Sequence, residues 1–209
     1  VGLPYSLMTV IALPLLEMMT KRCPDVRLEL KQEQSHLLAG AIRSRKLDFA
    51  VIAKPRSSSG LVCQPLLVEE LLFIARPGPG DDDAEVHISF EKASRQQFVL
   101  PSIGNGLRAT VEGHFRARSL PLDVKYEVDA IALITQCVDA GLGASLLPGG
   151  CLQRDANYSR MRVRPCAEGG CHRSIVLCHA EEAALSPAAV AAMSLMEEAA
   201  RGLVVRGNW

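Results

Sequence analysis

Apolar residues along this chain switch between helical and alternating spacing, and the switches mark out its elements. A short mixed start, Leu3–Leu7, leads into an amphipathic helix carrying Met8, Ile11, Leu15, Met18 and Met19, which Pro24 ends. Val26–Lys31 alternates apolar and polar, with Val26, Leu28 and Leu30 on one face, as a strand does. Ser35 is placed to cap a second helix whose inward face holds Leu38, Ala41 and Ile42. Leu47–Ile52 reads as a buried strand, Pro55–Gly60 as a serine-rich loop, and Leu61–Pro65 and Glu69–Ala75 as two further strands. A turn-rich, exposed break follows at Arg76–Asp83, RPGPGDDD.

Beyond that break the pattern starts again. Phe98–Leu100 predicts a strand, Pro101–Gly106 a polar turn, Leu107–Arg118 a helix and Leu122–Val128 a strand. Met161–Val163 and Arg173–Cys178 follow as strands, and Ser186 or Pro187 opens a last helix with Val190, Met193 and Met196 on one face. Strands separated by helices predict an α/β fold with a largely parallel sheet.

The segment Val124–Pro148 carries the most information. Glu127 and Val128 end a strand, Asp129 is a good N-cap, and Ile131, Ile134 and Val138 recur at helical spacing. Gly141 suits a left-handed helix end, and Gly143 lets the chain turn into the buried run Ala144–Leu147. Such a unit can present backbone N–H groups to an anion or polar ligand without a catalytic side chain, or it can simply face water.

Composition narrows the function. With 209 residues and 48% hydrophobic content, the chain can bury a substantial core as one large domain or two small ones. Lys plus Arg, 23, balances Asp plus Glu, 23, so no overall basic field advertises nucleic acid. The local cluster Lys21, Arg22, Arg43, Arg45 and Lys46 reads as a solvated helical face. Seven cysteines, an odd count, argue against a secreted disulfide framework and for a reducing compartment. Cys166-x4-Cys171-His172 with Cys178-His179 can be drawn as a zinc site, but the spacing matches no tight CxxC knuckle and Cys178 lies in an apolar run.

Pro14, Glu17, Lys21 and Arg22 interrupt the first apolar stretch, so no membrane span is predicted, and the start lacks the marks of a signal peptide. Beginning at Val1, the chain reads as a segment of a longer protein. Catalytic motifs do not emerge: there is no G-x-S-x-G elbow, no H-E-x-x-H and no G-x-x-x-x-G-K-[ST] phosphate loop. Gly104-Asn105-Gly106 serves more naturally as a tight turn, and Cys137 as a buried hydrophobe.

Several phrases, in order, resemble the effector-binding domain of LysR-type transcriptional regulators. Gly2-Leu3-Pro4 leads to Leu13-Pro14-Leu15-Leu16, then Cys23-Pro24-Asp25-Val26-Arg27-Leu28 matches the family's YPDVRL phrase. Leu37–Asp48 matches its L…L..G.LD.AI pattern, with Lys46 in place of the usual glycine. Pro65-Leu66 with Glu70–Ile74 resembles the crossing strand, and Val138–Ala144 followed by Leu147-Pro148 resembles VAAGLGI. Leu100-Pro101-Ser102 and Gly106-Leu107-Arg108 resemble the branch that controls nitrogen assimilation.

The resemblance implies a type 2 periplasmic-binding-protein-like fold, with two Rossmann-like subdomains joined by two crossover strands. Subdomain I would be residues 1–75 plus 178–209, subdomain II residues 76–177, with an effector in the cleft between them. It also implies a cytoplasmic regulator without cofactor or enzymatic activity. That regulator would bind a small polar effector, assemble as a dimer or tetramer, and reach promoter DNA through an N-terminal winged helix-turn-helix outside this chain. The expected effector residues are Ser6 and Leu7, Ser35 and His36, Ser102, Ile103 and Asn105, and Asp129 with Ala130.

Several of these have a second reading. Ser6 would cap the first helix or bond a ligand carboxylate, Ser35 repeats the arrangement, and His36 would tune the pocket with pH or sit exposed at a helix start. Asp129 stands where many relatives carry Ser or Thr, and a carboxylate there disfavours a dianionic effector and favours a cationic or hydrogen-bond-donating one. Two other readings share the fold: a solute-binding protein serving a transporter, and a cytoplasmic enzyme with Asp129 as its titratable group.

Overall fold

A computed structural model describes residues 1–78, 86–182, 184–207 and 209. In chain order the elements are β1 (Gly2–Leu3), α1 (Tyr5–Arg22), β2 (Lys31–Gln32), α2 (Ser35–Arg43), β3 (Phe49–Ala53) and β4 (Leu61–Ala75). Then come α3 (Phe90–Ala93), β5 (Gln97–Leu100), α4 (Gly106–Ala117), β6 (Asp123–Glu127), α5 (Ile131–Asp139) and β7 (Ser145–Pro148). The chain ends with α6 (Gly149–Leu152), a single 3-10 turn (Tyr158–Arg160), β8 (Arg162–Arg164), β9 (His172–Ala180) and α7 (Pro187–Val205). Of the expected break at Arg76–Asp83, the part from Pro79 onward lies outside the described residues.

The chain divides into two compact units, Val1–Val68 with Ser174–Trp209, and Glu69–Arg173. Both divisions fall earlier in the chain than the boundaries 75/76 and 177/178 expected from sequence, and both fall inside a strand, β4 and β9.

In the first unit, β1 pairs in parallel with β2 and β3, while β9 runs antiparallel to β3 from Phe49↔His179 to Ala53↔Ile175. The sheet is therefore mixed rather than largely parallel, because β9 returns against the direction of the βα repeats. Helix α2 covers it, packing Leu38, Ala39 and Ile42 onto Ala50, Ile52, Val176 and Cys178. Helix α1 buries Leu7, Val10, Ile11, Leu15 and Met19 at helical spacing and packs against α7. The buried face of α7 is small-residue rich, with Ala189, Ala192, Met193, Met196, Ala199, Ala200 and Leu203. Val190, expected on that face, stands exposed, since it falls between the buried positions 189 and 192.

The predicted strand Val26–Lys31 shrinks to Lys31–Gln32. Its side chains do alternate in exposure, but β1 is only two residues long and reaches only Lys31 and Gln32 of this segment. Conversely, Leu61–Pro65 and Glu69–Ala75 form one strand of 15 residues. Pro65 read as a break; in an extended strand it costs only one N–H, and here it sits at an exposed position.

In the second unit, β4 pairs antiparallel with β7 (Leu71↔Pro148 to Ile74↔Ser145) and with β8 (Phe73↔Arg164 to Ala75↔Arg162). Strands β5 and β6 pair in parallel, and β5 continues to Ala144 through a parallel bridge at Phe98. Phe73, Phe98, Phe115 and Phe90 meet edge to face in series, with centroids 5.5–6.3 Å apart, and form the aromatic centre of this core. Helix α5 ends as expected. Gly141 takes φ 75°, its N–H donates to Val138 O at 2.9 Å, and Leu142 N–H donates to Cys137 O at 2.9 Å, a complete Schellman end. Gly143 is needed for a different reason: a Cβ there would stand 2.8 Å from the backbone oxygen of Gln97. Glu69 and Arg173 form a buried ion pair, Oε2 to Nε 2.5 Å. No helix among the described residues is long and apolar enough to cross a membrane.

Candidate functional site

The second unit brings three of the expected residues onto one turn. Strand β5 ends at Leu100, and the chain then turns through Pro101–Asn105 into α4. Gly104 takes φ 96° and the Asn105 N–H closes the turn onto Ser102 O at 3.1 Å. Asn105 is the N-cap of α4, its Oδ1 accepting the Leu107 N–H at 2.9 Å. Ile103 projects outward and is 79% exposed, so it offers apolar surface without packing.

Ser102 meets Asp129 across this turn. Its backbone N–H donates to Asp129 Oδ1 at 3.2 Å, and its hydroxyl donates to Oδ2 at 2.7 Å. Asp129 is therefore not the cap of α5 that its position suggested. Helix α5 starts at Ile131 with Ala130 as N-cap and no side-chain cap, because the Asp129 carboxylate turns away to collect both Ser102 donors. Ala130 supplies only backbone, accepting from Leu133 and Ile134 N–H.

Beneath the turn lies a cation outside the expected effector residues, the arginine of the Gly106-Leu107-Arg108 phrase. Arg108, on the first turn of α4, is 7% exposed. Its guanidinium donates to Pro101 O at 3.1 Å and to Glu112 Oε1 at 2.7 Å, with Glu127 Oε1 at 3.4 Å. It thereby ties the residue before Ser102 to the end of β6, two residues before Asp129. In sequence such a helix arginine looks like any solvated one, and its tertiary partners reveal the role. Beside it is a concavity of about 470 Å³, lined also by Phe115, Arg116 and Leu122, and by none of the expected residues.

In the first unit, the remaining expected residues gather at two neighbouring helix starts. Strands β1 and β2 pair at Leu3↔Gln32, and α1 and α2 begin just after them. Neither expected serine caps its helix. Ser6 is already the second residue of α1, 4% exposed, behind the N-cap Pro4, whose carbonyl takes the Leu7 and Met8 N–H groups. Ser35 is the first residue of α2 behind the N-cap Gln34, and neither Pro4 nor Gln34 makes a side-chain cap. Both serines fall one or two positions too far into the helix to reach back to its free N–H groups. Leu7 is fully buried core and His36 is exposed.

The cysteines drawn as a zinc set separate. Cys166 and Cys171 belong to the second unit and Cys178 to the first. Among the described residues no group of three His, Cys, Asp or Glu side chains is placed to hold a metal ion. Burial pushes the thiols of Cys151, Cys166 and Cys171 up to about 12, as inert buried hydrophobes.

Comparison with known proteins agrees on the fold. The chain superposes on the effector-binding domain of QuiR in complex with shikimate with a TM-score of 0.82 at 16% identity, covering 96% of this chain and 95% of that one. It superposes on the Synechocystis PCC6803 CcmR regulatory domain in complex with 2-PG with a TM-score of 0.85 at 18% identity, covering 97% and 96%. The fold is thus the type 2 periplasmic-binding-protein-like fold of LysR effector-binding domains.

In sequence, it is 25% identical to the HTH-type transcriptional regulator BbuR of Bordetella bronchiseptica over 169 residues, 81% of this chain and 52% of that protein. It is 27% identical to the nitrogen assimilation regulatory protein nac of Klebsiella aerogenes over 146 residues, 69% of this chain and 46% of that protein. The chain spans about half the length of these relatives. The family model for the LysR substrate binding domain matches residues 1–201, and the chain belongs to that family.

Proposed function

We propose that this chain is the sensing part of a cytoplasmic, self-associating transcription regulator, and that it works by ligand binding without catalysis. The carrying observation is the family match over residues 1–201. The chain spans about half the length of the regulators it matches, which supports a DNA-binding segment elsewhere in the full protein. Promoter DNA is then a partner of that segment, and the chain's contribution is the effector and its own copy. Leu37, exposed on the first turn of α2, supports a self-association face on that helix. A transporter-serving binding protein is not favoured, since the relatives compared are regulators.

The effector's chemistry follows from Asp129. QuiR and CcmR are seen with shikimate and 2-PG, both acids. Here an acid brought to Ser102 meets a carboxylate that already holds both donors of that residue. Two like charges at one turn repel, and the ligand would have to displace two charge-assisted hydrogen bonds. A ligand that donates to Asp129, an amine or a polyhydroxy compound, gains instead. Ile103 and Asn105 border the same position on that turn.

A thermal-shift screen tests this. A cationic or neutral donor at about 100 times its Kd should stabilise by ~2.7 kcal/mol. For a chain of this length that is a Tm rise of roughly 5–10 °C. Asp129→Ser should abolish the response and open the turn to organic acids. If an acid stabilises the wild type through Ser102 and Asp129→Ser leaves that response unchanged, the assignment of effector class is wrong.

A further inference from the structure

Two cysteines far apart in sequence meet inside the first unit. Cys63 lies on β4 and Cys178 on β9, neighbouring strands of the sheet. The Cys178 thiol donates to Cys63 Sγ at a separation of 2.7 Å. A disulfide needs about 2.05 Å between sulfurs, so roughly 0.7 Å remains to close. Adjacent strands lie about 4.8 Å apart, within the Cα range of about 4.4–6.8 Å that disulfides span. Neither strand has to move far.

The surroundings divide the two roles. Cys178 is fully buried against Leu38, Ile42, Ala50 and Ile52, and Cys63 packs on the rim of this cluster, half-buried. Burial, together with the Cys63 neighbour, holds the Cys178 thiol protonated and well above its ordinary range. Cys63 is the sulfur a small reagent can reach, and Cys178 is the one that waits behind it. Two small apolar side chains filling a core would need no such approach, since non-bonded heavy atoms ordinarily sit about 3.5–4.0 Å apart, and these sulfurs lie well inside that.

We propose that Cys63 and Cys178 are a dithiol modification site that low-molecular-weight disulfides oxidise to an intramolecular disulfide. Cys63, as thiolate, attacks the small disulfide and breaks its S–S bond. The first small thiolate leaves and takes up the proton that Cys63 gave to solvent. Cys178 then attacks Cys63 Sγ, the mixed disulfide breaks, and the second small thiolate leaves with the Cys178 proton. Two electrons pass from the protein thiols to the small disulfide, which departs as two thiols. In a reducing compartment such a bond is transient, formed when the thiol pool is oxidised. It ties together the two strands in which the chain passes from one unit to the other.

The test is to incubate the protein with oxidised glutathione and map its peptides without reduction. The expected product is a Cys63–Cys178 linked pair, with intact mass lower by two hydrogens and a Tm rise that dithiothreitol reverses. Cys63→Ser should leave no linked peptide and no glutathione on Cys178. Cys178→Ala, which keeps the core apolar, should stop at a stable glutathione adduct on Cys63. The proposal is overturned if wild type stops at that same adduct. It is equally overturned if both thiols stay free while Cys23 or Cys137 reacts.

Discussion

Removing one partner of the Glu69–Arg173 pair should be the most damaging single polar substitution in the second unit. Their side chains are 1% and 6% exposed, and Nε stands 2.5 Å from Oε2. At about 4 Å between charge centres and an effective dielectric constant near 20, the attraction is ~4 kcal/mol. Desolvating both charges offsets much of that, so the pair as a whole adds little net stability. Breaking it is different, because the survivor keeps its desolvation cost and loses this charge-assisted contact. Glu69→Ala or Arg173→Ala should each cost ~3–5 kcal/mol, a fall in Tm of roughly 10 °C or more for a chain this long. Glu69→Met combined with Arg173→Met should recover most of the loss and come within about 2 kcal/mol of wild type. Urea unfolding of the four proteins, followed by far-UV circular dichroism, closes the cycle. If the double variant is as unstable as the two single losses added together, the residues are not coupled and the account fails.

Four other outcomes can be checked on the same material. Gly143→Ala should destabilise by ~1–3 kcal/mol because its Cβ meets the Gln97 backbone oxygen, while Gly113→Ala, on α4 with open space around it, should gain ~0.5–1 kcal/mol; opposite signs in urea melts are the criterion. Asn105→Ala removes the α4 cap and should cost ~1 kcal/mol, with faster amide exchange confined to the first turn of that helix. At pH 8, iodoacetamide should label Cys23, Cys63 and Cys137 in the native protein well before Cys151, Cys166 and Cys171. The linkage has a definite sign. These three thiols are raised on folding, so their contribution is fully present below the ordinary thiol range, near pH 9, and is lost as pH climbs through about 12. Cys171→Ala should therefore show a shallower stability loss between pH 9 and 11 than wild type.

The helices were legible because their burial is periodic and local. Leu38 and Ile42 on α2, and Ile131, Ile134 and Val138 on α5, are buried as their spacing predicts. Gly141 could be read as a helix end because only a left-handed residue completes that motif. What failed depended on a partner elsewhere. Val26–Leu30 has the alternation of a strand yet lacks a ladder, since its neighbour β1 is two residues long. The short α3 and α6 carry too few residues for a period to register.

Capping shows the same limit at higher resolution. Ser6, Ser35 and Asp129 each announced a helix start to within a couple of residues, and none caps its helix. Asn105 and Ser186 do. The residue types are interchangeable by propensity; what separates them is whether a stronger partner competes for the side chain. For Asp129 that partner is Ser102, 27 residues earlier, offering an N–H and an O–H to one carboxylate. A lone cap bond could not compete with two charge-assisted ones. The uncapped start of α5 is thus the consequence of a turn held shut by its own carboxylate. On the effector reading proposed above, a ligand that opens this turn would first have to satisfy Asp129, so its donors, more than its size, would set its affinity there.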